Sequence, residues 1–433
     1  MSQSRYAGLS RSELAVLLPE LLLIGQLIDR SGMAWCIQAF GRLEMLQIAI
    51  EEWAGASPIN TKRMQKALNF EGDDVPTIFK GLQLDIGAPP QFMDFRFTLH
   101  DRWHGEFHLD HCGALLDVEP MGDDYVVGMC HTIEDPTFDA TAIATNPRAQ
   151  VRPIHRPPRK PADRHPHCAW TVIIDESYPE AEGISALDAV RETKAATWEL
   201  DNVDASDDGL VDYSGPLVSD LDFGAFSHSA LVRMADEVCL QMHLLNLSFA
   251  IAVRKRAKAD AQLAISVNTR QLIGVAGLGA ERIHRAMALP GGIEGALGVL
   301  ELHPLLNPAG YVLAETSPDR LVVHNSPAHA DGAWISLCTP ASVQPLQAIA
   351  TAVDPHLKVR ISGTDTDWTA ELIEADAPAS ELPEVLVAKV SRGSVFQFEP
   401  RRSLPLTVKC ARCDLSSRWR YRFGDTTAST AYQ

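Results

Sequence analysis

Short runs of residues recur in the same order in the two halves of this 433-residue chain, and that recurrence limits its fold more than any other feature. Arg63-Met-Gln-Lys-Ala-Leu returns as Arg282-Ile-His-Arg-Ala-Met, and Asp101-Arg102 as Asp319-Arg320. Ala142-Ile-Ala-Thr145 returns as Ala348-Ile-Ala-Thr351, Val151-Arg152 as Val359-Arg360, and Trp170-Thr171 as Trp368-Thr369. The spacing shrinks from 219 to 198 residues along the series, so the second copy has the shorter loops. Ordered recurrence of this kind marks a duplicated unit. Two like units are expected to pair about a pseudo-twofold axis and to share a core or an interface.

Periodicity says what each unit contains. Residues 12–54 read as two helices, the first amphipathic and capped by Ser12, the second over 33–53 with Trp35, Ile37, Phe40, Met45 and Ile48 at helical spacing. A third helix fits 60–68. After Pro89 and Pro90 the period changes to two, with Phe95 and Phe97, then Phe107 and Leu109, separated by polar neighbours. Further strands are expected at 125–131 and 169–174. In the second half, helices are expected at 228–260, 270–288 and 343–352, and strands at 311–315, 320–324, 333–338, 357–361 and 368–373. The fold class is therefore α+β: helices followed by an antiparallel sheet, used twice. The expected divisions are a first repeat over 1–175, an acidic linker over 176–224, a second, degenerate repeat over 225–400, and a tail over 401–433.

Charge and cysteine usage narrow the function. Lys and Arg number 38 against 56 Asp and Glu, a formal charge of −18, which disfavours nucleic acid and anionic membranes as partners. No stretch offers 18 uninterrupted apolar residues, and Pro19 and Glu20 interrupt the N-terminal apolar run, so neither a membrane span nor a leader is expected. Eight cysteines, with Cys410 and Cys413 forming the sole CxxC, fit reduced thiols and a cytoplasmic location.

Polar residues found in one copy alone are the candidates for chemistry, and they gather in the first. As a strand, residues 104–112 would put His104, Glu106, His108, Asp110 and Cys112 on one face. His104, His108 and Cys112 would suit Zn²⁺ or Fe²⁺; a solvated sheet face explains the same pattern. Cys130 and His131 open a second cluster, in which Glu134, Asp135 and Asp139 could orient a histidine or act as a base. Cys130 as nucleophile needs a cation or base beside it; otherwise it is a core thiol. Residues 146–167 hold six Lys or Arg against Asp163 alone. Arg152, His155 and Arg156 could there hold a carboxylate or phosphate, or simply pair with the protein's own acids.

Cys112 on a strand, Cys130 with Asp135 five residues on, a Pro-rich turn, and His167-Cys168-Ala-Trp170 entering a final strand together resemble the superfamily of L-2-amino-thiazoline-4-carboxylic acid hydrolase and its helix-plus-sheet relatives. The resemblance spans about residues 20–175. It implies hydrolytic opening of a C–N bond, with Cys112, Cys130, Asp135 and Cys168 as the shared positions. This chain is nearly twice as long and adds the His104–His111 cluster and the Pro-Arg loop, so the substrate does not carry over. The expectation is a hydrolase acting on a small, anionic, cyclic or linear C–N substrate. Its catalytic residues would be Cys130, His131, Asp135 and Cys112, and Arg152, His155 and Arg156 would bind the substrate; a homo-oligomer is compatible with this. The alternatives are a Zn or Fe enzyme centred on residues 104–112, and a ligand-binding module using the space between helices and sheet.

Overall fold

The structure is a computed structural model that describes residues 3–400 together with Leu406 and Val408. Cys410 and Cys413 lie outside the described residues. The first helix, α1 (Arg11–Phe40), starts at Ser10 rather than Ser12, because Ser10 and Glu13 close a reciprocal capping box. Gly41, at φ 86°, ends α1 and opens α2 (Arg42–Ala67), which runs on through Pro58 and absorbs the separate helix expected at 60–68. After α3 (Val75–Leu82), strands β1 (Met93–Leu99) and β2 (His104–Cys112) form a hairpin. Next come α4 (Gly113–Val118), α5 (Asp123–Val127) and α6 (Glu134–Ile143), then β3 (Ala149–His155) and β4 (Cys168–Ile174). The antiparallel sheet has the order β1-β2-β4-β3.

Residues 125–131, expected as a strand, are helical. A π-helical segment, Gly128–Ile133, joins α5 to α6 into one continuous run. The β-branched pair Val126-Val127 suggested a strand, but Gly122 starts a helix there, with Asp123 and Asp124 complementing the dipole of its first turn.

The second unit repeats the plan. α9 (His228–Ala257) and α10 (Ala261–Ala286) have the same lengths as α1 and α2, 30 and 26 residues. They follow two short helices, α7 (Ser185–Arg191) and α8 (Lys194–Thr197). Then come α11 (Gly292–Leu302), β5 (Leu313–Ser317), β6 (Arg320–His324), α12 (Pro327–Asp331), α13 (Gln344–Val353), β7 (Leu357–Gly363), β8 (Trp368–Glu374) and α14 (Pro383–Ala388). The second sheet, β5-β6-β8-β7, has the order of the first. The strand expected at 333–338 is instead a 3-10 turn over Trp334–Leu337. No helix among the described residues is long and apolar enough to cross a membrane.

The four long helices pair across the duplication: α1 packs on α10, and α2 on α9. Two buried ion pairs mark the pseudo-twofold. Arg282 on α10 reaches Glu20 on α1 at 2.6 Å, and Arg63 on α2 reaches Glu237 on α9 at 2.8 Å. The partners stand at matching positions of matching helices. Gly55 and Gly274 are also equivalent: a methyl group on Gly55 would come within 2.2 Å of Ser248 Oγ, and one on Gly274 within 3.2 Å of Ser31 Cβ. Close helix approach favours glycine at both places, more strongly at Gly55. One apolar core runs from Leu14, Leu17 and Leu21 of α1 through α9 and α10 to Trp334 and Trp368 of the second unit. The 176–224 segment joins this core through Leu187, Val190 and Tyr213 and is tied down where Lys80 donates to Tyr213 O and Gly215 O.

Strand pairing corrects three of the recurring runs; in one, Arg320 opposes Glu371 as Glu106 opposes Thr171, so Arg320 takes the register position of Glu106 rather than Arg102. Val151 pairs with Val172, and Val359 with Leu372. If Val151 matches Val359, Trp170 matches Ala370, and Trp368 takes the register position of Cys168. Asp139 accepts from Val151 N just as Gln347 accepts from Val359 N, so Ala140, not Ala142, matches Ala348. The Ala-Ile-Ala-Thr and Trp-Thr runs are therefore each two residues out of structural register.

Candidate functional site

A cavity of about 630 Å³ lies between the helices and the sheet of the first unit, with Val387, Ala388, Val390 and Ser391 of the second unit also on its wall. α1 contributes Gln26, Asp29, Arg30 and Met33; α2 contributes Met45, Leu46 and Trp53. The 123–143 helical run contributes Tyr125, Met129, Glu134, Thr137 and Phe138, and Met93 and Phe95 come from β1. Most of the wall is apolar, and the polar groups set into it converge. The π-helical turn widens the helix just before Glu134, a device frequent at functional sites.

Two cations line the cavity, Arg30 and Arg42, the second 3.5 Å from Asp124; Arg30 is the more buried. Its Nη2 lies 3.5 Å from Asp29 Oδ2 and donates to Met129 Sδ at 3.2 Å, while its Nε has no partner. Burial works against its charge, but Asp29 and then Asp117 more than offset that and hold its pKa up. Burial raises the Asp29 carboxyl, with Arg30 opposing. Glu134 is pushed up to about 8, first by burial and then by the neighbouring Asp135, so it is mostly protonated at neutral pH. Asp85, also lining the cavity, is raised by burial to about 6. Gln26 Oε1, Asp29 Oδ1 and Glu134 Oε2 are buried without hydrogen-bond partners.

The expected cysteine site is present as a cluster but not as a nucleophilic centre. Cys112, Cys130 and Cys168 lie in one apolar core beneath the cavity, and Cys112 and Cys168 each oppose ionisation of Cys130. Burial drives the Cys130 and Cys168 thiols well above their usual range and Cys112 to about 12, with Glu134 adding to each shift. These are neutral core thiols. Cys112 caps α4 by accepting from Leu115 N, and its own N–H donates to His167 Nδ1 at 3.2 Å. His131 faces away, its Nε2 2.7 Å from Pro157 O, and Asp135 is paired with Arg156. Cys130, His131 and Asp135 therefore point to three different places. Cys112, Cys130 and His155 do not converge on the cavity; His155 sits on β3, near His108 and Arg164.

Four of the six basic residues of the loop already have carboxylate partners. Arg148 pairs with Glu180, Arg152 with Asp139, Arg156 with Asp135, and Arg159 with Glu119. Three of these partners belong to the first unit; Glu180 alone comes from the acidic segment. Arg152 and Arg156 thus have carboxylates in place before any substrate arrives.

The face expected for His104, His108 and Cys112 is split. Side chains alternate along β2 from His104 to Leu109. A bulge then sets Met93 against Cys112 and Phe95 against Leu109, two residues of β1 spanning three of β2. Cys112 is thereby turned to the core beside Phe107 and Leu109, away from His104 and His108. His108 lies 3.4 Å from Asp110.

Arg30 was not foreseen, although it is the one basic residue of α1 beyond Arg11 and its counterpart in α9 is Leu247. Glu134 was foreseen as one of three acids, and the structure singles it out. No protein-family model, curated protein or solved structure matches this chain.

Proposed function

We propose that the first unit binds a small molecule with an apolar body and one hydrogen-bonding end, held in the cavity between α1, α2 and the 123–143 helix. The observation that carries this is the set of unpartnered polar atoms around one apolar space: Gln26 Oε1, Asp29 Oδ1, Arg30 Nε and Glu134 Oε2. Buried polar groups are normally paired, and a ligand bearing N–H or O–H donors beside an acceptor would pair these. Asp29 already balances Arg30, and Asp117, Asp123 and Asp124 also line the cavity. Neutral or cationic ends are therefore favoured over the anion expected from the basic loop.

A second reading is favoured by Glu134. A protonated carboxyl in an apolar cavity suits a general acid, as C–N hydrolysis of the kind implied by the hydrolase resemblance requires. Water would add its oxygen to carbon while Glu134 protonates the departing nitrogen, then recovers a proton from the added water. This assigns to Glu134 the proton transfer first expected of Asp135 or His131.

The binding reading is tested by thermal shift of the full chain with matched aromatic amides, amines and carboxylates. Amides or amines should raise the Tm, and Thr137→Trp, which fills the cavity, should abolish the rise. A rise with carboxylates alone, or one that survives Thr137→Trp, overturns it. For the hydrolytic reading, turnover of a cyclic amide should be lost in Glu134→Gln and kept in Cys130→Ser.

A further inference from the structure

The opposite face of the first sheet carries a second, separate constellation. His100 opens the turn after β1, and His104 and Glu106 stand two residues apart on β2, on the face turned away from Phe107 and Leu109. One ligating atom from each of His100, His104 and Glu106 lies within 4.8 Å of the other two. The two imidazole centroids are 4.5 Å apart. His100 Nε2 is 3.1 Å from Glu106 Oε1, yet it is buried and lacks the alignment of a hydrogen bond. The turn is fixed by its own backbone: His100 N and Asp101 N both donate to His104 O, and Asp101 Oδ1 accepts from Trp103 N and His104 N.

We propose that His100, His104 and Glu106 form a binding site for a borderline divalent cation, Zn²⁺ foremost, on the outer face of the first hairpin. Two neutral imidazoles and one carboxylate are a donor set that Zn²⁺ favours, and three protein ligands leave a fourth, solvent-facing position open. A cation there would give the misaligned His100–Glu106 pair a common partner. The second unit lacks every component. Its hairpin closes at Ser317 and Arg320, three residues shorter, and strand pairing puts Arg320 in the register position of Glu106. The same fold is therefore built without the constellation, which removes a purely architectural reason for it. Of the ligands expected for a metal, His104 is retained, and His100 and Glu106 replace His108 and Cys112. The site lies on the far side of the sheet from the cavity and does not rest on the cavity's proposed role.

The test is Co²⁺ and Zn²⁺ titration of tag-free full-length protein carrying Cys410→Ser and Cys413→Ser, so that the CxxC contributes no thiolate. The expected result is one equivalent of Co²⁺ with visible d–d bands, no sulfur charge-transfer band, and displacement by Zn²⁺. Affinity should fall at least about 10-fold in His104→Ala and in the shape-conserving Glu106→Gln, the lower end of what losing even a supporting group causes. Absence of binding in the parent overturns the site, as does a sulfur charge-transfer band or an affinity unchanged in both variants.

Discussion

The two units share helix lengths, strand order and a matched pair of buried salt bridges, yet one is hollow where the other is packed. Gln26 of α1 opens on the cavity with its Oε1 unpartnered. Its counterpart in α9, His243, packs against Tyr311 and Trp334 at ring-centroid distances of 5.1 and 5.5 Å and places Nε2 2.9 Å from Asn307 O. Burial lowers the His243 pKa to about 4, so its ring is a neutral core group. Asp29 and Glu52 of the first unit correspond to Asn246 and Gln271 of the second, where Asn246 Nδ2 donates to Gln271 Oε1 at 3.0 Å. Carboxylates in one copy are thus near-isosteric amides in the other, and Arg30 is Leu247. Duplication holds the backbone constant and so isolates what differs: ionisable groups and empty volume have accumulated on one side of the axis.

The largest effect should come from emptying the full unit. Trp334 is completely buried, and Trp334→Ala should cost about 3–5 kcal/mol in urea denaturation. Met33→Ala, in the wall of an existing cavity, should cost about 1 kcal/mol. Equal costs would mean that the two units are equally well packed. The paired salt bridges should be unequal too. Arg282 is fully buried and also serves the carbonyls of Gly393, Ser394 and Phe396, so Arg282→Met strands Glu20 and three acceptors for a loss of about 3–5 kcal/mol. Arg63→Met leaves Glu237 with Arg233 at 2.9 Å, and the expected loss is about 1–3 kcal/mol. A larger loss at Arg63 would put the main tie between the units on the other pair.

Much of this architecture is legible in residue order. Period 3.6 in α1, α2, α9 and α10, and period 2 around Phe95 and Phe107, are enough to place helices and strands in an α+β frame used twice. The run from Tyr125 to His131 misleads because its β-branched residues favour strand locally, whereas Gly122 and the alanines of α6 extend a helix through it. The face of β2 is legible as far as Leu109 and then fails, because a bulge leaves no mark on alternation and turns Cys112 inward. The basic loop is legible as charge but not as ion pairs, since Asp139 and Glu119 come from helical segments 13 and 40 residues before the arginines they meet. The cavity is the least legible feature: it is an absence of side chains, marked by the differences between Gln26, Asp29 and Arg30 and their counterparts His243, Asn246 and Leu247.

Glu134 offers the sharpest remaining contrast between the units, because it turns the hollow side into a pH-dependent one. Its pKa is about 8 in the folded protein against an ordinary value of 4.5. Between these limits the folded state keeps the proton that the unfolded chain releases, so the native state binds more protons and stability falls as pH rises. The contribution is complete below about pH 4.5 and is lost as pH passes through about 8, an effect of the order of a few kcal/mol. Arg30 and Arg156 act to lower the shift and Asp135 to raise it, and their balance sets where the loss falls. Urea denaturation at about pH 5.5 and about pH 8.5 should show the decline in the parent and a much flatter response in Glu134→Gln, because the amide cannot release the proton. Ligand affinity should follow the same curve if the ligand accepts a hydrogen bond from Glu134, weakening above about pH 8 as that donor is lost. An unchanged slope in Glu134→Gln would place the titrating group elsewhere, most directly at Asp29 or Asp85, whose carboxyls burial also raises. The proton at the cavity would then be held on the floor formed by α1 and the 82–88 loop rather than on the π-helical wall.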